Sequence, residues 1–254
     1  MPAPEPPRWR TVVLSPHFDD AILSLAGLLP ALPAPVAVVT VFGGAPAPGA
    51  PVSWWDGTCG FSTAAEAHRT RRAEDARACA LLGVEQVVLG HPDGPYGDGG
   101  EPDLLDAFLE GLAPGTRILA PLGSNQPDHA GVRTRAMKVL AALGAPAPWV
   151  YADLPYTGHL PEWGSDGASA ALARSPRCGL AYQELLTSHR TNVRHALVLT
   201  DEQWRAKHEA VLCYASQLAA LVPDHGTFLA RTGPLRAEVV WELSPLETPL
   251  DPPC

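Results

Sequence analysis

Two stretches of the chain carry residues able to hold a metal ion and run a hydrolysis beside it. The first is Ser15-Pro16-His17-Phe18-Asp19-Asp20. His17 and Asp20 stand three apart where a short aliphatic run gives way to a helical pattern, so both side chains can face one point. Imidazole and carboxylate are suitable zinc ligands, at roughly 2.0–2.2 Å. The second stretch, Gln126-Pro127-Asp128-His129, offers His129 as a third ligand. Two histidines and one aspartate leave a corner vacant, as catalytic zinc sites do, whereas structural sites are normally closed by four protein ligands. Asp19 is then spare to act as a base. Zinc acidifies water, and a neighbouring carboxylate can take the proton and hand it to a departing amine. The same residues also suit a plainer role, because aspartates are favoured at the start of a helix. Short H-x-D-D runs arise readily by chance, so the placement of this one in the fold must decide between the two.

The elements around these residues follow from hydrophobic patterning. Thr11–Leu14, Val36–Phe42, Gln86–Leu89, Arg117–Ala120 and Trp149–Ala152 are short aliphatic or aromatic runs, which predict buried strands. Between them, Ala21–Leu29, Ala64–Leu82, Asp103–Leu112 and Ala130–Leu143 read as helices, the second stopped by Gly83. This alternation predicts an α/β fold with a mostly parallel sheet and helices on both faces. Ligands of such sheets sit outside the carboxyl ends of the strands. His17 and its aspartates follow the first strand, Asp93 the third, His129 the fourth and Asp153 the fifth, so one sheet edge collects them all. Beyond residue 157 the pattern weakens. The alanine-rich segment 165–174 reads as a loop, Asp201–Leu221 as one helix capped by Thr200, and Ala237–Leu243 as a last strand. A single domain over 1–254 is expected, with 157–190 as a substrate-capping insertion.

Composition narrows the class of function. With 46% hydrophobic and 18% charged residues the chain is an ordinary globular one. A formal net charge of −9 lacks the basic excess that nucleic-acid binding needs. No apolar run approaches the roughly 18 residues of a membrane span. Five scattered cysteines without a CxxC pair suggest free thiols in a reducing compartment, hence a cytoplasmic protein. A homo-oligomer is left open.

The chain also resembles a known family, the PIG-L/LmbE-like zinc-dependent N-deacetylases. Six segments carry the likeness in order: LSPHFDDAILSLAGLL; Arg71-Arg72-Ala73-Glu74 with Ala80-Leu81-Leu82-Gly83; Leu89-Gly90-His91-Pro92-Asp93-Gly94; APLGSNQPDHAGVRTRA; Tyr151-Ala152-Asp153-Leu154-Pro155-Tyr156; and Lys207 with Tyr214-Ala215-Ser216-Gln217. The resemblance implies a Rossmann-like fold, His17, Asp20 and His129 as metal ligands, Asp19 as base, and Arg71 and Asp93 as substrate contacts. It further implies a small sugar-like partner: an N-acetylglucosaminyl conjugate or glycosylated natural product that loses an acetyl or related acyl group. The metal would be zinc, with ferrous iron admitted by the same N and O ligands. An amidase on a thiol-sugar conjugate is the nearest alternative.

Two departures stand out. Ala21 occupies a position where the family often has an acid, which resembles a subgroup tied to sugar or natural-product tailoring. Gln126 stands where the family loop usually has a histidine that assists the oxyanion or the leaving group. A glutamine can donate an amide N–H there but cannot supply a proton. A metal-binding homologue with altered or lost hydrolysis is therefore the contrasting reading.

The remaining candidates are less distinctive. His91 is a substrate contact or an exposed loop histidine. Tyr156 and His159 follow the fifth strand and are placed at the mouth, with Tyr156 as a substrate contact. Tyr96 and Asp98 share a glycine-rich loop with Asp93. Trp54 and Trp55 are either stacking platforms or loop anchors. Arg71 also has a plain partner in Glu74, three residues on. His68, His189, His195, His208 and His225 show no partner pattern.

Overall fold

Alternate residues of three inner strands enter two different cores. In the computed structural model, which describes residues 9–97 and 102–246, Val13 of the first strand packs on one side while Val12 and Leu14 pack on the other. Val36 and Val38 oppose Ala37 and Val39 in the same way, and Leu119 opposes Ile118 and Ala120. Strands buried on both faces read as continuous apolar runs, which is why these runs were legible.

The strands are β1 (Thr11–Ser15), β2 (Val36–Thr40), β3 (Glu85–Val88), β4 (Arg117–Pro121), β5 (Trp149–Tyr151), β6 (His189–Val198) and β7 (Ala237–Pro245). They form one sheet in the order β3-β2-β1-β4-β5-β7-β6. The first five are parallel, while β7 runs antiparallel to β5 and β6 antiparallel to β7. The helices are α1 (Asp20–Leu25), α2 (Trp54–Thr58), α3 (Ala64–Leu82), α4 (Asp103–Glu110), α5 (Pro127–Ala142), α6 (Ala168–Arg174), α7 (Leu180–Leu186), α8 (Asp201–Val211) and α9 (Ala215–His225). Leu105 and Leu109 of α4 and Val132, Ala136 and Val139 of α5 cover one face. Ile22 and Leu25 of α1, Ala78 and Cys79 of α3 and Trp204 and Val211 of α8 cover the other.

The second half departs from its sequence pattern. Segment 168–174 is helical rather than a loop, and its Leu172 is fully buried. The expected helix over 201–221 is two, α8 and α9, separated by a 3-10 turn at Leu212–Tyr214. Thr200 does cap α8, in a reciprocal capping box with Gln203. Strand β6 lies at the sheet edge with mostly half-exposed or exposed residues, so it lacks the apolar run that marks an inner strand.

A buried ion pair ties this second half to the first. Lys207 Nζ lies 2.7 Å from Glu238 Oε1, with both side chains fully buried. The same carboxylate accepts the N–H groups of Gly27 (2.9 Å) and Leu28 (2.8 Å), just beyond α1. No helix among the described residues is long and apolar enough to cross a membrane.

Candidate active site

The β1–α1 turn builds the first half of the site. Ser15 Oγ donates to His17 O at 2.6 Å and accepts from Ala21 N–H at 3.0 Å, closing the turn. Asp20 opens α1 with a buried side chain. Its Oδ2 accepts the His17 backbone N–H at 2.8 Å and lies 3.1 Å from His17 Nδ1. The same oxygen is 3.1 Å from His129 Nε2. His129 arrives from the first turn of α5, which begins at Pro127 rather than after the histidine as the sequence suggested. Ligand atoms of His17, Asp20 and His129 therefore lie within 4.8 Å of one another. Two neutral-capable imidazoles and a carboxylate at that spacing fit a divalent ion with an open position.

Each imidazole is held at its other nitrogen by a second carboxylate. His17 Nε2 lies 3.2 Å from Asp128 Oδ2 and 3.4 Å from Asp93 Oδ1. His129 Nδ1 lies 2.8 Å from Asp153 Oδ1, while Asp153 Oδ2 accepts the N–H groups of Gly123 and Ser124, each at 2.8 Å. Such partners fix ring orientation and raise ligand basicity. Gly123 makes this loop possible: its φ is +90°, and a Cβ there would meet Ala130 Cα at 2.7 Å. Sequence reasoning placed Asp153 at the edge without a role and gave Asp128 none. The contacts that define both come from separate strands.

Charge at the site follows from this crowding. Burial pushes the Asp19 carboxyl up to about 7, helped by the charge of Asp20 and opposed by His17, Arg71 and His129. Burial would raise Asp20 too, but His129 and His17 outweigh it and hold Asp20 far below the usual carboxylate range. For His17, burial is outweighed by Asp128, Asp20 and Asp93, leaving the imidazole well above its ordinary value. For His129, burial is outweighed by Asp20 and Asp153, raising it to about 9.

Arg71 lies on the cleft wall. Its Nη2 is 2.5 Å from Asp56 Oδ1 and its Nη1 is 4.0 Å from Asp93 Oδ2. Glu74, the expected helical partner, instead accepts from Ser216 N–H (2.9 Å) and Ser216 Oγ (2.6 Å). Asp56 was missed from sequence; it also accepts from Tyr96 OH. Arg71, Asp56, Asp93, Tyr96 and Gln217 line a small cleft beside His17 and Phe18.

The other candidates have contacts of their own. His91 Nε2 accepts Leu104 N–H at 3.0 Å, so this ring is engaged with the start of α4. Gln126 Nε2 donates to Tyr156 OH at 3.3 Å, and the Tyr156 ring stands edge-on to His129 at 6.3 Å. Trp54 is 80% exposed on α2, whereas Trp55 packs against the core. His68 Nε2 faces Gly43 O at 3.0 Å, and His225 Nδ1 pairs with His159 Nε2 at 3.1 Å. Asp98 lies outside the described residues, as does Cys254.

Residues 12–140, which include His17, Asp20 and His129, match the family described as PIG-L: GlcNAc-PI de-N-acetylase. The chain belongs to this family. Several solved structures share its fold. A deacetylase triple mutant of the teicoplanin biosynthetic pathway is similar at 22% identity and TM-score 0.70, covering 94% of this chain and 99% of that one. The A40926 pseudoaglycone deacetylase Dbv21 is similar at 24% identity and TM-score 0.65, covering 94% and 98%. The N,N'-diacetylchitobiose deacetylase of Pyrococcus horikoshii is more distant, at 16% identity and TM-score 0.52, covering 92% and 83%. At these identities the likeness is one of fold. No curated protein matches the sequence.

Proposed function

We propose that this PIG-L chain is a metal-dependent hydrolase that removes an acetyl or related acyl group from the amide nitrogen of an amino-sugar unit, carried on a glycosylated natural product. The observation that carries the reading is the convergence of His17, Asp20 and His129 on one point with Asp19 buried beside them. The PIG-L family match supports de-N-acetylation, and the likeness over 94% of the chain to a teicoplanin-pathway deacetylase and to the A40926 pseudoaglycone deacetylase supports a natural-product substrate.

In this reading His17, Asp20 and His129 hold the ion, zinc or ferrous iron. A bound divalent ion would supply Lewis-acid polarisation of the amide carbonyl and acidify water. Asp19, buried beside these residues, would take a proton from water and deliver it to the departing nitrogen. Asp128 and Asp153 keep the two rings turned toward Asp20. Arg71 and Asp93, on the wall next to His17, orient sugar hydroxyls. Segment 157–190 stands as the cap on the substrate side. The four described cysteines are free thiols, in keeping with a cytoplasmic location.

The test is amine release from a panel of N-acetylglucosamine conjugates and N-acylated glycopeptides, using protein reconstituted with one equivalent of zinc or iron. The wild type is expected to release amine from at least one, and Asp19→Asn to keep its metal while losing about 10²–10⁴ in rate. Metal-loaded wild type that cleaves none of them would favour the contrasting reading, a binding protein or a different reaction, to which Gln126 points.

A further inference from the structure

Amide cleavage builds negative charge on the carbonyl oxygen, and a neutral donor aimed at it lowers the barrier. We propose that Tyr156 is this donor and that Gln126 is the residue that aims it. The inference rests on the hydrolase reading above.

Two buried side-chain donors near the trio lack a partner among the described residues, Arg71 Nε and Gln217 Nε2, and both belong to the cleft lined by His17 and not by His129. Arg71 is ion-paired with Asp56 at 2.5 Å. His91 Nε2 is taken by Leu104 N–H, His68 Nε2 by Gly43 O, and His159 Nε2 by His225 Nδ1. Asp19, Asp93 and Asp128 are carboxylates, and acceptors when ionised. Tyr156 differs from all of these. It is half-buried, it stands edge-on to His129 at 81° and 6.3 Å, and its other side is braced by the His225 ring at 77° and 5.2 Å. A tyrosine hydroxyl ordinarily titrates at about 10, so the phenol keeps its proton at neutral pH.

The Gln126 contact gives that proton a direction. Gln126 Nε2 is a donor only, so in the 3.3 Å bond the tyrosine oxygen must accept. The hydroxyl hydrogen is then not committed to Gln126, on a side chain whose ring stands against that of His129. Chain connectivity fixes the arrangement further. Tyr156 lies three residues after Asp153, the carboxylate that holds His129, and Thr157 is bonded back to Asp153 O through N–H (3.1 Å) and Oγ1 (3.0 Å). One short loop thus orients a metal ligand and carries the hydroxyl. Tyr156 donates a hydrogen bond and retains its proton throughout. It is a catalytic residue by contact with the reacting oxygen, and Gln126 is a positioning residue that acts through it.

The sharpest test uses a near-isosteric change. In Gln126→Glu the ionised carboxylate can only accept, so it draws the tyrosine hydrogen to itself and away from the substrate. Tyr156→Phe removes the donor outright. Both variants are measured as zinc-loaded full-length protein, on the best substrate of the amine-release panel and by calorimetric binding of a glucosamine methylphosphonamide, a tetrahedral probe. Tyr156→Phe is expected to lose about 10²-fold in kcat with little change in KM, and to bind the probe correspondingly more weakly. Gln126→Glu is expected to lose at least about tenfold in the wild-type background and almost nothing in the Tyr156→Phe background, because the two act as a unit. Stoichiometric zinc in each variant reports an intact site.

A Tyr156→Phe enzyme with wild-type kcat and probe affinity would overturn the proposal. Equal costs of Gln126→Glu with and without Tyr156 would overturn the positioning role. Wild-type protein that loads zinc but neither cleaves a panel amide nor binds the probe would overturn the hydrolase reading itself, and this inference with it.

Discussion

Asp153 grips His129 through one carboxylate oxygen, 2.8 Å from Nδ1, while its other oxygen is anchored by two backbone N–H groups of the 123–124 loop. The ring is thereby fixed with Nε2 turned toward Asp20. Asp153→Asn keeps the shape but offers the loop amides and Nδ1 only one acceptor oxygen between them. Metal affinity is expected to fall about 10–100-fold, measured by competition with a chelating dye. Affinity equal to wild type would mean that the ring is oriented by other contacts.

Metal binding should release protons. His17 is held well above its ordinary value and His129 at about 9, so both rings carry charge in the metal-free protein at neutral pH. Ligation needs neutral nitrogens, so affinity is expected to climb as pH rises toward about 9. Stability follows the same logic. Raised imidazole values stabilise the metal-free fold fully below the unfolded value of about 6.5, and that contribution is lost as pH rises through the folded values. The Tm of metal-free protein should therefore decline between about pH 6.5 and 9, while metal-loaded protein does not share this decline. Titration calorimetry in buffers of different ionisation enthalpy that detects no proton release would contradict the charge assignment.

Asp75 gives a pH effect of a different kind. Burial pushes its carboxyl up to about 6, despite hydrogen bonds from Tyr214 and Gln86. Between the unfolded value near 4 and this folded value, the native state holds the extra proton, so stability falls as pH rises across that window. The loss is on the order of 3 kcal/mol. Asp75→Asn should flatten this slope in urea unfolding series from pH 4 to 7. An unchanged slope would place the effect on another group.

Lys207 and Glu238 form the one fully buried ion pair among those described. Burial lowers the Lys207 value, and Glu238 counteracts this. Lys207→Met leaves the Glu238 charge with only the Gly27 and Leu28 amides. A loss of about 3–5 kcal/mol in unfolding free energy is expected, whereas a double change of Lys207→Met with Glu238→Gln should recover part of it. Lys207→Met within about 1 kcal/mol of wild type would show that the two amides alone satisfy the carboxylate.

The first half of the fold was open to reading because its strands are covered on both faces and the candidate ligands follow the strand ends. His17, Asp20 and His129 could be named from short motifs and the sheet-edge rule. Asp56 could not. It pairs with Arg71 from a five-residue helix that no periodicity announces, and the more obvious partner, Glu74, is drawn off by Ser216. Strand β6 stayed hidden because an edge strand bearing Arg190 and Arg194 has the polar composition that discourages further pairing and masks its nature. The α8–α9 break also left no mark, since no proline or glycine falls at Leu212–Tyr214 and Pro223 lies inside the next helix.

The clamp that Glu238 places on Gly27 and Leu28 also bears on how the molecule is made. Residues near the amino end finish their turn on a side chain translated more than two hundred codons later. Until Glu238 has been translated, the amides that follow the helix after His17 and Asp20 lack this carboxylate, so a nascent chain should acquire ion-binding competence only once β7 has emerged.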